Sequence, residues 1–299
     1  MLAKLKEMFS PGPSTRGGVR RRRVNLQSRF MIVSEMARGS MSRVYRAIDN
    51  ETSGTVCLKV QLREKNEAAV ARASGQETRP SEGEIAIQLN HPHVVRTFEY
   101  GDSNKGEHYL VMEYVDGVSL QYIRETRSAR TAQRVELLAQ AAEGLAAVHA
   151  AGFIHHDINP RNFLVDREQQ VKLIDFGLTV PNTPAFCRPG NRTGTLQYMA
   201  PELLRREPID ERIDIFAFGV LAFELLTDRL PYDASNTSTM MLQRINAEPL
   251  DPAKVKPKLS EEICEILRKL TSRRRDERWT SMHTLPAALR NVPAKRQRV

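Results

Sequence analysis

Cysteine is scarce in this chain, and what there is excludes two classes of small-domain architecture. Cys57, Cys187 and Cys264 are odd in number, far apart and in no paired ligand spacing, so neither a disulfide framework nor a zinc site is indicated. Long apolar runs are missing as well. The most apolar stretch, Phe216 to Leu226, is too short to cross a bilayer and ends beside Asp228 and Arg229. The first residues hold no long uncharged apolar segment of the kind a secretory signal needs. No internal repeat occurs, and the only biased block is the arginine run Arg20 to Arg23. The expectation is a cytoplasmic protein in a reducing compartment, with no transmembrane segment.

What is present suffices for a sizeable core. The 299 residues are 40% hydrophobic and 27% charged, which suits one large domain or two lobes. The net charge of +9 first suggests nucleic acid, but it is concentrated at the ends. Residues 1–27 carry a net +6 and residues 290–299 a net +4, so the sequence between them is near −1. Arms of this kind could attract nucleic acid or an anionic membrane surface, yet no recognition motif accompanies them and such runs are usually solvated. Leu2, Leu5, Met8 and Phe9 fall near one helical face, in a segment too short to anchor by itself.

Along the chain, residues 1–27 read as a disordered basic arm and the folded sequence is expected from Ser28 to about residue 290, with a basic tail over 291–299. Short β-rich runs at Phe30 to Val33, Arg43 to Ala47 and Thr55 to Val60, broken at Gly39 and Ser53-Gly54, predict an antiparallel sheet. Residues 63–89 predict mainly helix, with a loop near Ser74 to Pro80. Strands are expected again at Val94 to Tyr100 and His108 to Tyr114. Beyond Gly117 the period changes: Val135, Leu138, Ala142, Leu145 and Val148 form one helical face ended by Gly152. The fold class is therefore α+β, with a β-rich lobe over about 28–114, a hinge at about 113–117 and a larger, mainly helical lobe over about 118–290.

The chemistry is concentrated in His155-His156-Asp157-Ile158-Asn159-Pro160-Arg161-Asn162 and, after it, Leu173-Ile174-Asp175-Phe176-Gly177. An aspartate, an asparagine and a second aspartate at this spacing suit phosphoryl transfer, and their oxygens suit a hard divalent cation. Either motif alone is common noise. Together, with the strand pair Phe163-Leu164-Val165 and Val171-Lys172-Leu173 around a turn at Asp166, chance explains them poorly. The two motifs resemble the catalytic and metal-binding loops of the protein kinase superfamily. Gly194-Thr195-Leu196-Gln197-Tyr198-Met199-Ala200-Pro201-Glu202 is similar to the end of the activation segment in serine/threonine kinases, and Met41 and Tyr45 resemble the phosphate loop of bacterial, Hanks-type members. The resemblance covers roughly residues 29–290.

The resemblance implies a two-lobed fold that binds ATP and Mg²⁺, or Mn²⁺ in its place, and transfers the γ-phosphate to a protein serine or threonine. It implies that Ala37, Gly39 and Ser42 cover the phosphates and that Val44 packs on the adenine. Lys59 would contact phosphates and pair with Glu82, or with Glu84 if the helix is shifted; read alone, Lys59 is an edge-strand residue reaching solvent. Met112 would be the gatekeeper, with the backbone of Glu113 and Val115 at the adenine. Asp157 would orient the substrate hydroxyl, Asn162 and Asp175 would hold metal, Asp214 would brace the catalytic loop and Arg278 would pair with Glu202.

Several residues depart from the pattern. Asn159 stands where most members have a lysine that neutralises the transferred phosphate, a loss of about 10²- to 10³-fold by analogy with removing one preorganised donor. Arg161 offers a replacement cation. His156 replaces the arginine that grips a phosphorylated activation segment, and a neutral imidazole is a poor phosphate clamp, so little dependence on phosphorylation of Thr179, Thr183 or Thr193 is expected. Ala37 and Ser42 stand where two loop glycines would be. The alternative is a pseudokinase that binds nucleotide or a partner protein and signals by conformation.

Overall fold

The computed structural model describes residues 23–39, 42–61, 79–190, 193–232 and 237–292. The basic arm through Arg22, the tail from residue 293, Met41, and residues 63–78 of the expected helix lie outside the described residues.

Five strands form one antiparallel sheet in the order β1-β2-β3-β5-β4, with β1 Phe30–Arg38, β2 Ser42–Asp49, β3 Thr55–Gln61, β4 Thr97–Asp102 and β5 His108–Glu113. β3 lies in the middle, paired with β2 and β5, because its alternating residues bury on both faces. Val56 and Leu58 join Phe30, Ala47, Tyr109 and Val111 in a small core on one face. Pairing starts ahead of Ser28: the Val24 N–H donates to Asp102 O at 3.2 Å and Val24 O accepts from Asn104 N–H at 2.9 Å.

Of the stretch 63–89 expected to be mainly helix, residues 79–89 are described, and one expected strand is shorter than the sequence suggested. Among the described residues, the helix within 63–89 is Glu82–Ala86, and the chain leaves it through turns closed by Gln88 N–H on Ile85 O and Leu89 N–H on Ala86 O. The strand expected from Val94 begins only at Thr97. Val94 and Val95 are buried, but they pair with Leu173 of the other lobe, Val95 N–H donating to Leu173 O at 2.9 Å.

The second lobe is built on two helices. Thr131–Ala150 buries Leu138, Ala142, Leu145 and Val148 on the predicted face, leaves Val135 half-buried, and ends before Gly152, whose φ of +82° favours glycine. Arg212–Thr227 contains the apolar stretch and is buried all round from Ile213 to Thr227, the mark of a helix at the centre of a core. Short strands β6 Gly117–Ser119, β8 Phe163–Asp166 and β9 Val171–Leu173 form a second sheet, while β7 Phe153–Ile154 pairs with β10 Val180–Pro181. One apolar core runs from Ile85 and Met112 through the long helices to Leu289, so the two lobes share packing at the hinge.

Candidate active site

Register fixes the upper wall of the site. Ala37 pairs with Val44, Val44 with Lys59, and Lys59 with Leu110. Partners directly opposite present side chains to the same face, so these residues, with the pair Cys57 and Met112, line one side of the sheet. Gly39 N–H closes the loop onto Ser42 O at 2.9 Å.

Lys59 is a buried central-strand residue, contrary to the edge reading of that strand alone. Its Nζ donates to Glu82 Oε1 at 2.7 Å and to Asp175 Oδ1 at 2.9 Å, and Gln61 Nε2 donates to Glu82 Oε2 at 3.0 Å. Burial disfavours the ammonium, but the two carboxylates more than offset it and raise the Lys59 pKa. Burial also opposes the charge on Asp175, yet Lys59 and the Gly177 N–H hold its carboxyl below the usual range. Glu84, the alternative partner, is occupied elsewhere: it completes a capping box with Ser81, which starts the helix that carries Glu82.

Asp214 positions the catalytic loop from beneath. Its Oδ2 accepts from His155 N–H at 2.7 Å and from His149 Nε2 at 2.9 Å, and its Oδ1 accepts from His156 N–H at 2.9 Å. Those bonds stabilise His156 at a φ of +69°, which costs a non-glycine residue free energy. Gly194 lets the downstream segment approach: a Cβ there would stand 2.4 Å from His156 O, and its φ is +106°. Thr195 is thereby brought to Asp157, whose Oδ1 accepts from Thr195 N–H at 2.8 Å and Thr195 Oγ1 at 2.7 Å. Asn162 Nδ2 donates to Asp157 Oδ2 at 3.1 Å and to Asp157 O at 2.8 Å. Phe176 is buried with its ring edge-on to His155 at 5.4 Å.

The departures from the expected pattern have definite places. Asn159 is buried and turned into the loop, with Nδ2 on Asp157 O at 3.1 Å and Oδ1 accepting from Arg161 N–H at 3.0 Å. Arg161 is exposed, and its guanidinium acts electrostatically on Tyr198. Burial drives the His156 pKa down; Arg79 and His155 add to that and Asp214 opposes it. Thr179 is fully buried, Thr183 half-buried, and Thr193 Oγ1 is 3.4 Å from His156 Nδ1. Away from the loop, Arg278 grips Glu202 at 2.5 and 2.7 Å as the resemblance implied.

The hinge carries a contact the sequence did not reveal. Glu113 accepts Lys172 Nζ at 2.9 and 3.1 Å and Arg96 N–H at 2.7 Å, and its own N–H donates to Arg96 O at 2.9 Å. The Glu113 amide is thus committed within the protein. Val115 is half-buried and packs on the common core.

The family described as the protein kinase domain matches residues 30–288, and this chain belongs to that family. It is similar to a probable serine/threonine-protein kinase, pknA2, of Bifidobacterium longum, with 31% identity over 274 residues, 90% of this chain and 36% of that protein. It is also similar to the serine/threonine-protein kinase pkn3 of Myxococcus xanthus, at 29% over 91% of this chain and 51% of the relative. The serine/threonine-protein kinase PknB of Mycolicibacterium smegmatis matches at 30%, over 90% and 43%. The chain spans about a third to a half of the length of these relatives. Among the described residues no helix is long and apolar enough to cross a membrane.

Proposed function

We propose that this chain is a serine/threonine protein kinase that transfers the γ-phosphate of ATP to a protein hydroxyl, with little dependence on activation-segment phosphorylation. The observation that carries the reading is Lys59 held between Glu82 and Asp175, at 2.7 and 2.9 Å. A buried cation beside a partly exposed carboxylate serves to place nucleotide phosphates.

The donor set fits a hard divalent ion. Asn162 Oδ1 and Asp175 Oδ2 accept no hydrogen bond among the described residues. The described residues hold no cluster of three or more His, Cys, Asp or Glu that could form an all-protein cage. Mg²⁺ is commonly held by one or two side-chain oxygens together with phosphate and water, so Asn162 and Asp175 are its ligands in this reading. When bound, it would supply neutralisation of phosphate charge.

The chain's own residues do the rest. Val44 and Met112 bound the adenine side, with the backbone of Glu113 and Val115 at its edge. Ala37, Gly39 and Ser42 cover the phosphates. Asp157, aimed by Thr195 and Asn162, orients the attacking hydroxyl and takes up its proton. Asn159 holds the loop's shape, and Arg161 brings positive charge to the transferring phosphate from the open side. A protein substrate incubated with labelled ATP and Mg²⁺ should yield phosphoserine or phosphothreonine, lost on adding a chelator. ATP binding with no labelled protein under any divalent ion would instead favour a pseudokinase.

A further inference from the structure

Arg79 closes a ring of contacts around the cleft. Its Nη2 donates to Gly177 O at 2.6 Å and its Nε to Thr179 O at 3.0 Å. Pro80 follows it, which keeps the backbone of residue 79 out of helical geometry. Ser81 then caps the helix through reciprocal bonds with Glu84, so little freedom separates Arg79 from Glu82. Glu82 holds Lys59, Lys59 holds Asp175, and Asp175 is two residues from Gly177. Displacing any member strains the others.

This ring brings a cation within electrostatic reach of His156, the position at which the resemblance implies an arginine. His156 is half-buried with a lowered pKa and cannot serve as a charged clamp near neutral pH. Arg79 approaches from the small lobe and grips main-chain carbonyls, which need no modification to accept. A guanidinium suits the task because its planar fork serves two acceptors at once, which a lysine ammonium does less well.

We propose that Arg79 is a positioning residue that locks the helix Glu82–Ala86 to the Asp175–Thr179 segment in the transfer-ready arrangement without phosphorylation. The proposal rests on the kinase reading for its effect on rate, while the tie itself is separately measurable. The full chain, phosphatase-treated and confirmed unphosphorylated by mass, is compared with Arg79→Ala and Arg79→Lys. Arg79→Ala should lower kcat about tenfold, within the roughly 5- to 150-fold range of coupling between two states, with the KM for ATP changed less than about threefold. Arg79→Lys should be intermediate.

Hydrogen exchange gives the second readout. Amides of residues 82–86 and 177–180 should speed up together in Arg79→Ala and by less in Arg79→Lys. Faster exchange at 177–180 alone, with kcat unchanged, would mark a local packing contact and overturn the proposal. If the parent transfers no phosphate above an Asp157→Asn control, the kinase reading fails and exchange decides: joint acceleration supports the tie, and acceleration at one segment or neither overturns it.

Discussion

Thr195 donates both its backbone N–H and its hydroxyl to the same oxygen of Asp157, at 2.8 and 2.7 Å. Among the described residues, the other Asp157 oxygen receives only the Asn162 amide, at 3.1 Å. The carboxylate is therefore oriented by the activation segment as well as by its own loop.

Removing that hydroxyl should cost rate more than binding. Thr195→Val keeps the N–H donor but frees the carboxylate to rotate, and misplacing a reacting group by about 1 Å can cost on the order of 10²-fold. The expected result is a roughly tenfold to hundredfold fall in kcat, little change in the KM for ATP, and near-parent activity in Thr195→Ser. Steady-state kinetics on a protein substrate checks it.

Glu82 and Glu84 should separate cleanly. Losing one partner of a buried pair costs about 3 kcal/mol or more, and Asp175 retains part of the Lys59 interaction. A residual loss of roughly 1–2 kcal/mol corresponds to about a tenfold slower transfer in Glu82→Gln. Glu84→Ala loses only its capping box, about 1 kcal/mol of stability, and should melt earlier while transferring phosphate at the parent rate. Melting curves and kcat measured on both variants decide.

Arg161→Ala should slow transfer by about 10²- to 10³-fold, the scale of losing one preorganised donor at a developing charge. An unchanged rate would remove Arg161 from the mechanism. With an arginine already on that side of the loop, a peptide array should show no preference for arginine just before the target residue.

Acid should destabilise the fold through its imidazoles. Burial lowers the His156 pKa from its ordinary 6.5, and burial with His93 nearby does the same for His91. Below about pH 6.5 the unfolded chain binds protons that the folded chain refuses, so stability falls as pH drops. Asp175 and Asp214 have lowered folded pKa values, and their contribution persists above the ordinary 3.8 and is lost only as pH falls below it toward the folded pKa. Between pH 7.5 and 5.5 the melting temperature should therefore decline, and less steeply in His156→Asn, whose residue type tolerates the positive φ.

The catalytic loop was legible because its chemistry lies in a contiguous stretch with fixed spacing, and Asp214 and the Arg278–Glu202 pair were legible through motifs. Lys59 was ambiguous because a strand's neighbours, which decide edge or centre, lie far away in sequence: its partners are Val44 and Leu110. The strand expected at Val94 was shortened by tertiary pairing with Leu173. Arg79 and Lys172 gave no signal, since each acts on a group about 60 to 100 residues away through geometry that only the folded chain creates.

The rate of labelled phosphate transfer from ATP with Mg²⁺, measured on the parent beside Asp157→Asn and Asp175→Ala, decides whether this chain is a kinase. The parent should transfer phosphate, and each variant should be slower by at least about 10²-fold. A parent signal no greater than that of the two variants would contradict the kinase reading.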